Sequence, residues 1–260
     1  MLFIALPLLN LCLATGTRAA PIPLEMVDMS YVFDETTLHW PTQKEFEMNV
    51  KFNGTTGEGY WLQLEEYNSA IHVGTHMDAP CHFAEGRWTV DEIPLHRLVG
   101  PAAVIDITQK AEQNRDAFVE VQDLENWEKL TGHRLDNHIV MIRSGWGRRW
   151  PDREAFTGTP NKDADNLHFP GFSPEAAQWL VDNRRIYGVG TETLSLDYGP
   201  SKDFMAHRIL LGANIYGLEN VANVEKLPLF GATLYAMPMK IGKGSGAPTR
   251  IFATFPKIRA

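Results

Sequence analysis

Between Ile71 and Phe83 the chain reads IHVGTHMDAPCHF, and no other stretch restricts its fold as sharply. His72, His76, Asp78 and His82 follow an H-x3-H-x-D-x3-H spacing, all at even positions. Side chains alternate faces along a strand, so an extended backbone sends all four to one side. On a helix, at about 100° per residue, they would scatter over more than a third of the circumference. Gly74 and Pro80 oppose a helix as well. The spacing predicts an extended rim that brings three imidazoles and a carboxylate to one point. Such donors suit Zn²⁺, Mn²⁺ or Fe²⁺. The competing reading is a polar edge strand with ordinary hydrogen-bonded histidines. Against it, four such groups converging without an ion would repel or need separate partners.

With 260 residues, 44% of them hydrophobic, the chain can bury the core of one large domain. Its net charge of −8 argues against a nucleic-acid surface. Leu2 to Leu13 is apolar apart from Asn10. That is too short to span a bilayer and suits the core of a signal peptide; a buried strand or a short membrane anchor is the alternative. Thr17-Arg18-Ala19 places small residues at −3 and −1, so cleavage is expected after Ala19. The expected organisation is a signal peptide over 1–19 and one domain over 20–260, in a secreted protein. No later stretch is long and apolar enough to cross a membrane. Cys12 would leave with the leader. Cys81, at an odd position, should point away from the ligands as a small apolar residue, with a Cys–His nucleophile as the rival reading. Asn53-Gly54-Thr55 is an N-glycosylation sequon in an apparent Gly-rich loop.

Strands are expected at Leu24–Val32, Tyr60–Tyr67, Leu98–Ile107, His138–Arg143, Ile186–Gly190, Ile215–Leu218, Thr233–Ile241 and Arg250–Phe255. Val121, Leu124, Trp127 and Leu130 recur every third residue, which predicts an amphipathic helix ended by Gly132. Ser173-Pro174-Glu175 opens a second helix running to about Asn183, with Ser as N-cap and Pro at the first helical position. A third spans Lys202–Leu211 and carries His207. Trp150 to Phe169 is irregular and reads as a lid or an oligomer contact. Strands with about three helices make an α/β class with no linker.

The central stretch resembles the H-x-G-T-H-x-D-x-P-x-H signature of the cyclase family of metal-dependent hydrolases, which includes bacterial kynurenine formamidase and isatin hydrolase. The resemblance covers nearly all of the chain after the leader. Trp40-Pro41 resembles the family's early W-P pair, whose tryptophan contacts substrate; packing on the core as a surface-loop aromatic is the other reading of Trp40. His207 and Glu219 resemble its distal His-x11-Glu pair. The resemblance implies a first metal on His72, His76 and Asp78. It implies that Asp78 bridges to a second metal held by His207 and Glu219. His82 is implied as proton donor and acceptor rather than ligand. One Mn²⁺ serves some members and two Zn²⁺ others. The implied fold is a swivelling β/β/α single domain with a mixed sheet, in a homodimer or homotetramer.

The implied chemistry is hydrolysis of the C–N bond of a small aromatic amide, either an aryl formamide or a cyclic amide. A histidine of pKa ~6.5 suits the proton transfers expected of His82. Trp40 is the expected substrate contact; Phe33, Trp61 and Phe204 read first as core. Ser144 lies in R-S-G-W-G, which is not a nucleophile elbow. Gly188-Val189-Gly190 lacks the third glycine of a dinucleotide site. A non-catalytic secreted carrier of small aromatic molecules and a hydrolase of lactones or other cyclic esters are the rival functions. His39, His96, His133, His138 and His168 read as structural or surface residues.

Overall fold

The computed structural model describes residues 23–257. The expected leader, its expected cleavage after Ala19 and Cys12 lie outside the described residues. The described residues form twelve strands: β1 (Leu24–Asp28), β2 (Glu47–Thr55), β3 (Trp61–Asn68), β4 (His76–Asp78), β5 (Val99–Asp106), β6 (Phe118–Val119), β7 (Ile139–Arg143), β8 (Gly171–Phe172), β9 (Gly188–Gly190), β10 (Tyr216–Glu219), β11 (Thr233–Pro238) and β12 (Gly246–Pro256). The helices are α1 (Thr108–Gln113), α2 (Val121–Thr131), α3 (Arg153–Thr157), α4 (Pro174–Asn183) and α5 (Met205–Gly212).

The main sheet runs β1-β12-β11-β5-β7-β9-β10-β4, and β4 pairs back onto β12. All but β1 therefore close into a ring. Strands β5, β7, β9 and β10 run parallel to one another. The pairings β10–β4, β4–β12, β12–β11 and β11–β5 are antiparallel.

The apolar run of β7 shows why the sheet is buried on both faces. Ile139 and Met141 face one core together with Met77, Val104, Leu218 and Ile251. Val140 and Ile142 face another, against Leu124 and Trp127 of α2, Leu180 of α4 and Leu210 of α5. That period of two places one core inside the ring and the other beneath the helices. The mixed α/β single domain expected from the sequence is thus the one observed.

Helix α2 carries a reciprocal cap between Glu120 and Asp123 and ends at Gly132 with φ +73°. In α4 the Ser173 side chain accepts from Ala176 N–H. Among the described residues five α-helices form where about three were expected. Helix α1 buries only Ala111 and offers no apolar stripe, and α3 is five residues long. The first strand ends at Asp28, four residues short of its expected limit.

Strands β2 and β3 correct two further expectations. They pair only with each other, with a bulge between Val50 and Phe52. Asn53-Gly54-Thr55 lies within β2 rather than in a loop. Trp61, expected in the core, is 66% exposed on β3. Among the described residues no helix is long and apolar enough to cross a membrane.

Candidate metal centre

The centre sits where β4 and β10 meet. Positions 76 and 78 of β4 share one face by strand alternation, while Met77 turns into the ring core. The extended rim stops there. His82 arrives on a 3₁₀ turn, Pro80–His82, and His72 from a bend before β4. The four side chains converge as expected, but strand parity accounts for only two of them. Gly74, at φ +57°, makes the bend: a Cβ there would lie 2.9 Å from Phe33 and Thr37 side-chain atoms.

The distal pair enters from a separate unit. Antiparallel pairing of β10 with β4 sets Glu219 opposite His76. Helix α5, which connects β9 to β10, supplies His207. His72 Nδ1 lies 2.6 Å and His76 Nε2 3.2 Å from Asp78 Oδ1. His76 Nε2 is 3.4 Å from Glu219 Oε2. His207 Nε2 lies 3.2 Å from Asp78 Oδ2 and 3.0 Å from Glu219 Oε1. The His82 ring stacks on His72 at 3.9 Å between centroids. All six side chains predicted to act are therefore gathered in one place. Ligand-capable atoms of His72, Asp78 and His82 lie within 4.8 Å of one another, as do those of His76, Asp78 and Glu219.

The donors fit a divalent ion. Nδ1 of His76 is 2.9 Å from the Gly74 carbonyl, which only accepts, so this nitrogen carries the proton. The Nε2 lone pair is then buried, turned toward two carboxylates and without a hydrogen-bond partner. His207 repeats the pattern, with Nδ1 2.6 Å from Asp197 Oδ2. Imidazole lone pairs facing carboxylate oxygens repel unless a proton or a cation lies between them. A carboxylate or carbonyl on the far nitrogen of each imidazole is the usual support of a metal ligand.

The charges are strongly coupled. Burial opposes ionisation of Asp78, but His72, His207 and His76 hold its carboxyl well below the usual range. Burial and the Asp78 charge push Glu219 up. Burial would lower His76, yet Asp78 and Glu219 lift it to about 8. His207 rises well above its ordinary value against burial, through Asp197, Asp78 and Glu219. Burial pushes His82 the other way, to about 4, against the pull of Asp78.

A cavity of about 210 Å³ opens onto these groups. Trp40, Phe83, Phe204 and Leu194 wall it, and Thr42, Gln43 and Ser195 add polar edges. Phe204 stands 5.8 Å from Trp40 and 5.5 Å from Phe83, so it belongs to the cavity wall rather than the core. Phe33 packs edge-on against Phe46, away from this wall. Cys81 is half-buried against the ring core, and burial raises its thiol.

Sequence reasoning missed Phe83, Asp197 and Asn220. Phe83 directly follows the motif, and that adjacency was the available signal. Asp197 has no local signature among 32 acidic residues. Asn220, at φ +53°, donates to the Gly74 carbonyl at 2.8 Å.

Residues 27–198 match the Cyclase family model, whose description is "Putative cyclase". The chain is 34% identical over 205 residues to isatin hydrolase of Roseibium aggregatum, covering 76% of this chain and 74% of that protein. It is 27% identical over 229 residues to a kynurenine formamidase of Salinibacter ruber, covering 87% and 96% respectively. The solved structure of isatin hydrolase A from Labrenzia aggregata, bound to benzyl benzoate, aligns with a TM-score of 0.82 at 31% identity. That alignment spans 90% of this chain and 94% of the other.

Proposed function

Because the chain belongs to the cyclase family of hydrolases, we propose that it is a metal-dependent amidohydrolase. Its proposed substrate is a small aryl formamide or cyclic aryl amide, the kind of compound for which its relatives are named. One observation carries this reading: two carboxylates and four imidazoles converge at the floor of a cavity walled by Trp40, Phe83 and Phe204. His72, His76 and Asp78 would hold a first Zn²⁺ or Mn²⁺, and Asp78, His207 and Glu219 a second. A divalent ion there supplies Lewis acidity, which acidifies a water and polarises a carbonyl.

The remaining chemistry belongs to side chains of the chain itself. Trp40 and Phe204 offer flat apolar faces on which an aryl ring can lie. His82 faces the same cavity. Its ring nitrogens have no hydrogen-bond partner among the described residues, and burial keeps the ring neutral. In that form it can take a proton from the attacking water and return it to the departing nitrogen. Asp78 attracts the imidazolium while it exists, since its charge is the one that favours the protonated ring. The apolar leader supports secretion of this hydrolase, which N-terminal sequencing of exported protein would test at Ala19.

The test pairs metal analysis with turnover. Purified protein should contain stoichiometric zinc or manganese and hydrolyse isatin or N-formylkynurenine, with activity lost on chelation and restored by the ion. Folded protein without bound metal, or turnover indifferent to chelation, would refute the proposal.

A further inference from the structure

The far side of the centre depends on a carboxylate that faces neither the cavity nor the other ligands. Asp197 is 3% exposed, in the loop between β9 and α5. Its Oδ2 lies 2.6 Å from His207 Nδ1 and 3.2 Å from the His207 backbone N–H. Its Oδ1 accepts from Ala206 N–H at 2.8 Å. No lysine or arginine pairs with it among the described residues. Its charge is thus met by the first turn of α5 and by one imidazole. The preceding residue acts on the other distal ligand: Leu196 N–H donates to Glu219 Oε1 at 3.0 Å. Neighbouring backbone holds the loop in place, for a Cβ on Gly171 would lie 2.3 Å from the Asp197 carbonyl carbon.

From this arrangement we infer that Asp197 is a positioning residue that selects the metal-binding tautomer of His207 and fixes the ring to the helix that carries it. The inference rests on the reading of this site as a metal centre. A carboxylate only accepts, so the proton of neutral His207 sits on Nδ1. The Nε2 lone pair is then left facing Asp78 and Glu219. An asparagine at 197 whose oxygen keeps the bond to Ala206 turns its amide N–H₂ toward the ring and gives up the acceptor of the His207 backbone N–H. The amide donates to Nδ1, moves the ring proton to Nε2 and removes the lone pair from the metal side. Carboxylates behind ligating histidines act in this way, and their loss typically weakens metal binding by about 10- to 100-fold.

The experiment compares wild type, Asp197→Asn and Asp197→Ala by titration with Zn²⁺ against a competing chelator, and by ¹⁵N resonances of the metal-free histidines at a pH high enough for His207 to be neutral. His207 is assigned by the signal lost in His207→Gln. Asp197→Asn should keep its melting temperature within a few degrees, show His207 protonated on Nε2, and bind one ion about 10- to 100-fold more weakly. Asp197→Ala should also lose the α5 cap and melt lower. Wild-type affinity together with an unchanged His207 tautomer in Asp197→Asn overturns the role of Asp197 and leaves the metal reading standing. Wild-type protein that binds no ion overturns both.

Discussion

His72, His76, Asp78 and His82 come from eleven consecutive residues, whereas Asp197, His207 and Glu219 are gathered from a loop, a helix and a strand. The near half is organised by local backbone chemistry: a left-handed glycine, three residues of strand and a proline-led turn. The far half is organised by topology. Strand β9, helix α5 and the parallel strand β10 form one crossover unit, which places His207 on the helix and Glu219 at the last position of its strand. Two bonds stitch the halves together. Thr75 Oγ1 donates to the Asn220 carbonyl at 2.7 Å, and Asn220 Nδ2 donates to the Gly74 carbonyl at 2.8 Å. One cavity floor is thus made from a motif that reads in one line and a fold that does not.

The widest separation should come from His76→Ala against His207→Ala. If the near half anchors the first ion, His76→Ala loses both metal and turnover. His207→Ala then retains one tightly held ion, as read by metal analysis after gel filtration. Equal metal loss in the two variants would erase the distinction between the halves. Next in size is His82→Ala, which should keep its metal and lose about 10²–10⁴-fold in kcat. Full turnover in that variant, metal-loaded, would remove His82 from the chemistry.

The stitch itself is tested by Thr75→Val. This change leaves the Asn220 carbonyl and the Tyr31 N–H without their partner and should cost about 1–3 kcal/mol in urea unfolding. The smallest effect belongs to a control outside both halves. Arg184 grips Glu128 through Nε at 2.6 Å and Nη2 at 2.5 Å. Burial would raise the Glu128 carboxyl, but Arg184 and the Leu135 N–H hold it below its ordinary 4.5. A depressed folded value means that the stabilisation is present above the unfolded value and is lost as pH falls through the folded one. Glu128→Gln should therefore lower stability by about 1 kcal/mol at pH 7. The gap should close below pH 4.5, with the metal content of the variant matching that of wild type at each pH. A gap independent of pH would assign the effect to packing.

What the sequence disclosed follows the same division. Helices α2 and α4 were legible because their caps and apolar periods lie within single segments. The motif was legible by residue type, although strand parity explains only His76 and Asp78. His207 and Glu219 were singled out through the family's spacing, since nothing near them in the sequence sets them apart. Asp197 stayed silent because its partners follow nine and ten residues later, across a turn and into α5. Strand β2 escaped because eight of its nine residues are exposed, which erases the alternation that marks a half-buried strand. Tyr60, Trp61 and Phe204 are all aromatic, yet only Phe204 meets the cavity; aromatic character alone does not tell a wall from a hairpin.

Strand β4 has only three residues, yet it bonds on one side to β10 and on the other to β12. It is the stave that shuts the barrel, and its neighbours lie far along the chain, Leu218 and Ala247 flanking Met77. Long loops must close before so short a strand earns its bonds, so this joint belongs to the late steps of folding. Two of its three residues, His76 and Asp78, are proposed ligands. An ion held jointly by Asp78 and Glu219 would act as a rivet across that joint, and its binding energy would add to the cohesion of the whole barrel.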